Sequence, residues 1–421
     1  MIMVARARHA SRWGCRASRC AVWHSQISCC MNVGVSEQEF VAADPTGDPV
    51  LDESEIDDVG LFETAASSLP YFGADFDVAG LVRRLDDEDI LIPRFDPDES
   101  ADLSIEGFQR QRVWTGPRME KFIESLLLGW PVPSIFLVVE PDGRYLVLDG
   151  QQRLTTLQSF YRGEHPDGRV FVLNDVAEHL KGATYETLSK ESKRRLNNTF
   201  IQAVVIEPAG EDGRDAVYRL FGRLNSGGVS LTAQEIRVAL YRGPLVEFIR
   251  DLNHDSSWRV LFGAAHKKLK DHELVLRSLA MADVIRTIDG RWDDDEVLKQ
   301  AYKPPMAQFL NNFLESHGKL EDLNESEVAD AFAKACRVLV EANGRDGLKF
   351  NGRLNAAHID AMLGTLIHAF TKGLPIDAAA VKRAITALRS SESYTDWVSR
   401  STSHRDSVVG RLRAAVEALI G

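Results

Sequence analysis

The sequence predicts an α+β protein: a mixed α/β domain over residues 71–243, an all-α helical domain over 244–421, and a disordered tail over 1–70. Three observations lead there. Between Phe76 and Gly243, short apolar runs with strand character alternate with stretches of helical spacing. From Leu245 onward nearly every apolar pattern has helical spacing, without a fixed-period repeat. The tail shows no sustained periodicity of either kind.

Order is expected to begin near Phe76. Val78, Leu81, Val82 and Leu85 share one helical face. Ile90-Leu91-Ile92 is a short strand that Pro93 ends or places at an edge. Thr115-Gly116-Pro117 opens a helix with proline in its first turn. Met119, Phe122, Ile123, Leu126 and Leu127 form its core face, and Gly129 and Pro131 stop it. Ile135–Val139 and Arg144–Leu148 pair as a hairpin about Pro141-Asp142-Gly143. A helix follows directly from Gln151. Strands are expected at Val170–Leu173 and Phe200–Glu207. Asp215–Asn225 reads as a helix with Val217, Leu220, Phe221 and Leu224 inward, ending in Asn225-Ser226-Gly227-Gly228. Thr232 to Glu235 is a capping box for the next helix, which stops at Gly243-Pro244. Beyond it, amphipathic helices are expected over 273–288, 305–314, 327–340, 355–370, 378–388 and 406–419, bundled around one core.

Composition excludes several classes of function. Hydrophobic content of 44% and charged content of 27% suit a globular chain, and no apolar run approaches the ~18 residues of a membrane span. A net charge of -12 argues against sequence-blind coating of DNA, while leaving room for a local basic groove. The charge is uneven: residues 1–30 carry five Arg and no acid, and residues 37–66 carry ten acids and no Lys or Arg. Cys15, Cys20, Cys29 and Cys30 all lie in the first thirty residues, leaving only Cys336 in the body. The body therefore has no disulfide framework, which suits a reducing cytoplasm. The C-x4-C-x8-C-C spacing is a poor match to a zinc knuckle. The Arg-rich, acid-free start reads equally as a transit peptide or as residues preceding a true start at Met31.

The chemistry concentrates in Arg144–Tyr161, RYLVLDGQQRLTTLQSFY, where a buried strand stops in Asp149-Gly150 and becomes a helix at Gln151. A helix start exposes free N–H groups and a partial positive charge, a natural seat for an anion. Arg153 adds a forked donor suited to phosphate oxygens. Asp149 could hold a metal ion, orient a water or cap the helix. On local chemistry alone, a phosphate seat and an ordinary turn satisfying its own backbone remain equally open. Two further polar clusters sit at element ends: Gln109, Arg110, Arg112 and Trp114, and then Arg223, Asn225, Ser226, Gly227, Gly228, Gln234, Glu235 and Arg237. Each has a structural reading as well. Trp114 suits a core anchor better than a base-stacking platform. Gln151 and Gln152 could serve only as caps, Asn225 as a C-cap, and Glu235 as half of the capping box.

In order, GFQRQRVW, IFLVV, YLVLDGQQRLTTL and FGRLNSGGVSLTAQEIRVAL resemble the N-terminal domain family of GmrSD-type restriction endonucleases, once called domain of unknown function 262. The resemblance is strong from Phe76 to Gly243 and general in the helical remainder. It implies a ParB/sulfiredoxin-like fold, with nucleotide binding and hydrolysis attached to the DGQQR motif. The motif residues fall on Gln109, Arg110, Asp149, Gly150, Gln151, Gln152 and Arg153. One departure is the acidic stretch Asp96–Glu106, which separates the Ile-Pro motif from Phe108-Gln109-Arg110; in the family these usually run together.

The resemblance implies a nucleotide-binding, NTP-hydrolysing component of a bacterial DNA restriction or anti-phage system, cytoplasmic, able to form a homo-oligomer and acting with a separate nuclease or effector. Arg153 and the amides of Gly150 to Gln152 would hold the phosphates of GTP, ATP or CTP. Arg110 would approach the same anion, and Asp149, with Mg2+, would position water or nucleotide. Arg223 and Asn225 are further candidates for nucleotide or DNA contact. An alternative is a DNA-binding adaptor with a vestigial nucleotide site, touching phosphates through Lys190–Arg195 (KESKRR). A nuclease built on the ParB-like domain itself is a third. An HNH nuclease module behind the domain is not expected. His358, the one candidate base, lies in a helical pattern, His404 suits a capping turn, and no P-loop, HExxH or GxSxG element occurs.

Overall fold

The computed structural model of the protein describes residues 69–93, 114–210, 213–225, 231–321 and 323–421. The leader, Gln109, Arg110, Arg112, Ser226, Gly227 and Gly228 lie outside the described residues.

Five strands make one mixed sheet: β1 Tyr71–Asp77, β2 Ile90–Leu91, β3 Ile135–Val139, β4 Tyr145–Asp149 and β5 Phe200–Ile206, in the order β1-β5-β3-β4-β2. β1 and β5 are antiparallel, β5 and β3 parallel, β3 and β4 an antiparallel hairpin, and β4 and β2 parallel. Around it lie α1 Val78–Asp86, α2 Gly116–Leu128, α3 Gln151–Arg162, α4 Lys190–Asn197, α5 Gly213–Leu224 and α6 Ala233–Leu240. An α+β architecture is therefore what the chain adopts.

The period-two rule explains why the central strands read as unbroken apolar runs. Ile135, Leu137, Val147 and Val205 point to one face, where they pack with Leu81 of α1, Ile123 of α2 and Leu154 and Leu157 of α3. Their neighbours Val138, Leu146, Leu148 and Ile206 point to the other, onto Val217 and Phe221 of α5. That second cluster continues into the helices of the second half.

Those helices are α7 Pro244–Asn253, α8 Ser256–Phe262, α9 Lys270–Ile288, α10 Asp295–Ala301, α11 Met306–His317, α12 Glu325–Asn343, α13 Ala356–Thr371, α14 Ala378–Arg389, α15 Glu392–Ser399 and α16 Arg405–Leu419. A small hairpin, β6 Lys349–Phe350 with β7 Arg353–Leu354, interrupts them. None of the described helices is long and apolar enough to cross a membrane.

Three expectations need correction. Order starts earlier than Phe76, because YFGADFD forms β1 along the sheet edge, where a strand needs little burial. Val170–Leu173 is not a strand: only Val170 bridges Glu164. Its alternation comes from Phe171 and Leu173 being buried, with Phe171 edge-on to Phe160 at 5.2 Å. Finally, α9 and α13 are not amphipathic surface helices. They pack on each other at the centre of the bundle and bury their polar residues too, Asp271, Arg277, His358 and Asp360 among them.

Candidate functional site

The DGQQR turn forms at the end of β4. Gly150 sits in the left-handed region, at φ 101° and ψ 7°, and serves as N-cap of α3. A Cβ there would meet Ile135 Cγ2 at 2.5 Å and Ile135 Cβ at 3.0 Å. Both the backbone angle and the approach of β3 therefore require glycine. The first turn of α3 has no side-chain cap, and its first internal bond runs from Leu154 N to the Gly150 carbonyl at 3.0 Å. Its leading N–H groups thus open at the end of the sheet.

Arg153 turns back along α3 instead of outward. Its Nη2 donates to Asp149 Oδ2 at 2.6 Å and to the Ser134 carbonyl at 3.2 Å. The same nitrogen lies 3.2 Å from where a Gly150 Cβ would stand. The Arg153 side chain is only 11% exposed against 43% for Asp149, and its Nε is buried without a hydrogen-bond partner. A buried orphan N–H is costly, and an acceptor oxygen entering the turn would satisfy it.

Gln152 does not cap its helix. Its Oε1 accepts from the Trp114 backbone N–H at 2.8 Å, tying the segment that carries the first motif to the second. Trp114 is four residues past Arg110, a chain reach of at most about 14 Å. Trp114 behaves as an anchor: its ring meets Phe122 edge-on at 5.5 Å, and the Arg118 guanidinium lies 4.9 Å over it. Gln151 is half-buried at the helix start. As for a metal, no group of three or more His, Cys, Asp or Glu side chains gathers among the described residues. A magnesium ion at Asp149 would draw its other ligands from water and phosphate, a common arrangement for that ion.

The third cluster divides. α5 starts where β3 and β5 end and packs on β4, so its carboxyl end, with Arg223 and Asn225, returns toward the end of the sheet that holds Gly150. Asn225 Nδ2 donates to the Phe221 carbonyl at 2.9 Å, a helix-closing bond, and Arg223 is exposed. The α6 members are structural. Thr232 and Glu235 complete the capping box, at 3.3 Å and 2.7 Å. Arg237 is buried and donates to Asn311 Oδ1 at 3.0 Å, and Asn311 donates to Asp215 Oδ1 at 3.2 Å, joining α6, α11 and α5.

His358 is a core residue. It is fully buried, its Nδ1 is 2.8 Å from the Tyr394 hydroxyl, and burial lowers its pKa to about 3. His404 is the N-cap residue of α16 without a side-chain cap bond. Sequence reasoning passed over a cavity of about 440 Å³ at the other end of the sheet, lined by Val138, Glu140, Glu207, Arg214 and Val217 among others. Burial raises the Glu140 carboxyl above its usual range, against the pull of Arg214 and Arg242. Only tertiary contact brings these groups together; no local motif marks them.

No curated protein matches the chain. Residues 95–242 match the family model described as the GmrSD restriction endonuclease N-terminal domain. That span, roughly a third of the chain, contains α2 to α6, β3 to β5 and the whole DGQQR turn. Residues 95–242 are thus a domain of the GmrSD restriction endonuclease N-terminal family, to which the DGQQR turn and its flanking motifs had pointed.

Proposed function

We propose that the protein is a nucleotide-binding component of a DNA restriction system, with the 149–153 turn as its phosphate seat and a separate protein as effector nuclease. The restriction role rests on the family of residues 95–242. The observation that carries the phosphate seat is the buried, unpartnered Nε of Arg153 beside an uncapped helix start whose glycine cannot be replaced without a clash. In this reading phosphate oxygens accept from the N–H groups of Gly150 to Gln152 and from Arg153. Asp149 holds the guanidinium in place beforehand, so that little ordering is left to ligand binding. Gln109 and Arg110, which lie outside the described residues, are assigned to the same anion on the family motif alone. With Mg2+, Asp149 would also orient the attacking water for hydrolysis.

Calorimetric titration with ATP, GTP and CTP, each with and without magnesium, tests the assignment. Arg153→Ala should weaken binding of the preferred nucleotide at least tenfold while the melting temperature stays within a few degrees. Unchanged affinity overturns the phosphate seat.

A second reading, a DNA-binding adaptor, is favoured by α4. Lys190, Lys193, Arg194 and Arg195 form no ion pair among the described residues. Lys193 and Arg195 instead donate to the Glu186 and Leu127 carbonyls. Trp130, just past the end of α2 that Arg195 touches, is 61% exposed. Tight, strongly salt-dependent DNA binding that survives Arg153→Ala, with no NTP turnover, would select the adaptor.

A further inference from the structure

We propose that β1 is a self-association edge, through which two copies of the chain join their sheets antiparallel about a two-fold axis.

The backbone fixes which groups β1 has to offer. The Pro70 carbonyl accepts from Glu207 N at 3.0 Å, and Val78 N donates to the Thr199 carbonyl at 3.0 Å. Between these two bonds the register with β5 runs unbroken from Tyr71↔Ile206 to Asp77↔Phe200. Antiparallel pairs alternate, so Phe72, Ala74 and Phe76 direct their N–H and C=O groups at β5. Tyr71, Gly73 and Asp75 direct theirs away from the sheet, and so does the Asp77 N–H, whereas the Asp77 carbonyl belongs to the first turn of α1, of which Asp77 is the N-cap. β1 is an edge strand, and these outward groups have no partner among the described residues.

Natural edges are usually blunted by lysine, proline, a bulge or shortness. β1 is seven residues long, regular, and without Lys or Pro; the charges it does carry, Asp75 and Asp77, both lie in its second half. Its start is also apolar and open, with Tyr71 72% and Phe72 44% exposed. At Gly73 an added Cβ would find nothing within 4 Å.

The order of side chains selects a second copy as occupant. Both acids, Asp75 and Asp77, lie in the second half of YFGADFD. With Ala74 opposite the partner's Ala74, Gly73 faces the partner's Asp75, Tyr71 faces the partner's Asp77, and Phe72 faces the partner's Phe76. No carboxylate directly opposes another, and an aromatic pair forms on each side of the axis. A parallel arrangement would set acid against acid. The same register sets Gly73 and Asp75 of each copy opposite one another at the hydrogen-bonded spacing an antiparallel pair needs, and brings the Asp77 N–H to the partner's Tyr71 carbonyl. One seven-residue edge falls short of the ~1,200 Å² typical of stable interfaces, so the dimer forms weakly and with concentration.

Sedimentation velocity on the full chain, from roughly 1 to 500 μM, reads the association. Gly73→Pro removes one outward N–H and no bond to β5, and should raise the dimer dissociation constant at least tenfold. Gly73→Lys sets an ammonium opposite the partner's Asp75 and should lower it several-fold, an effect lost in high salt. Far-UV circular dichroism melts establish that both variants fold; if the proline variant does not, the lysine variant decides. Amide exchange gives an independent reading, with Gly73 and Asp75 slowing as concentration rises while Ala74 stays slow throughout. A monomer over the whole range, or a dimer indifferent to both substitutions, overturns the proposal.

Discussion

The two halves of the molecule treat charge in opposite ways. At the centre of the helical half, Arg277 grips Asp360 through two bonds, Nε to Oδ1 at 2.9 Å and Nη2 to Oδ2 at 2.6 Å. Arg411 adds a third at 2.8 Å and also donates to the Thr402 carbonyl. All three side chains are at most 2% exposed. Burial pushes the Asp360 carboxyl up, but the two guanidiniums outweigh it and hold the pKa below the ordinary range. In the α/β half, Arg153 is nearly as buried, yet its Nε has no partner and the adjacent helix start has no cap. Charge in the bundle is neutralised inside the core and fixes packing, although Arg411 Nε, like Arg153 Nε, is buried without a hydrogen-bond partner. Charge at the DGQQR turn lies instead beside an uncapped helix start and a carboxylate 43% exposed, and that opening to solvent, not the orphan Nε alone, separates it from the network in the core.

The sharpest way to break this comparison is to open the closed network. Asp360→Asn leaves two buried guanidiniums without their counter-charge and should cost about 3–5 kcal/mol in denaturant unfolding. Replacing Arg277, Asp360 and Arg411 together by apolar residues of similar volume should recover most of that loss. If the single variant unfolds at the wild-type denaturant concentration, the triad is not a structural clasp.

A smaller effect comes from His358. The folded pKa, about 3, lies below the ordinary 6.5, so the unfolded chain takes up the proton first as pH falls. Stability from this group is full above pH 6.5 and declines through the window down to about 3. Between pH 6.5 and 4.5 it should account for about 2–3 kcal/mol. His358→Gln should flatten that part of the stability profile, even though it lowers stability at pH 7. His272, lowered to about 4 chiefly by burial, adds a slope of the same sign. An unchanged profile in the variant would mean that His358 is not held neutral.

Gly150→Ala probes the open side. The residue must hold φ 101° against Ile135, so alanine should destabilise the fold by about 1–3 kcal/mol. It should also weaken nucleotide binding more than Arg153→Ala does, since it shifts the helix start itself. A variant with wild-type stability would show that the turn tolerates a side chain and is not held by β3.

Much of this was legible in the residues. The β3–β4 hairpin, Gly150 and the α3 start follow from an apolar run meeting Asp-Gly and then helical spacing. The Thr232–Glu235 capping box was equally plain, because four adjacent residues contain the whole interaction. What escaped depends on contacts far apart in sequence. Gln152 reaches Trp114 across 38 positions, and Arg277 reaches Asp360 across 83. β1 escaped because Gly73, Asp75 and Asp77 depress strand propensity, and pairing with β5 alone overrides it. α13 read as amphipathic because its histidine and aspartate look solvent-facing until Tyr394, Arg277 and Arg411 close over them.

The smallest expected effect on stability is also the one that tests whether surface charge on the α/β half is functional. Lys190, Arg194 and Arg195 are exposed on α4, and Glu191 is the only acid on that helix. None of the three makes an ion pair among the described residues, and of their side chains only Arg195 makes a hydrogen bond, to the Leu127 carbonyl, so reversing all three to glutamate should change stability by no more than about 1 kcal/mol. Polyanion binding responds differently, because each cation that meets a phosphate releases a condensed counterion. If α4 contacts DNA, the triple variant should lose at least tenfold in affinity at low salt, and the slope of log K against log salt should become shallower by about 2–3. Nucleotide affinity should stay at the wild-type value, because α4 contributes no residue to the 149–153 turn. A variant that binds DNA as the wild type does, with an unaltered salt slope, would assign these cations to plain solvation.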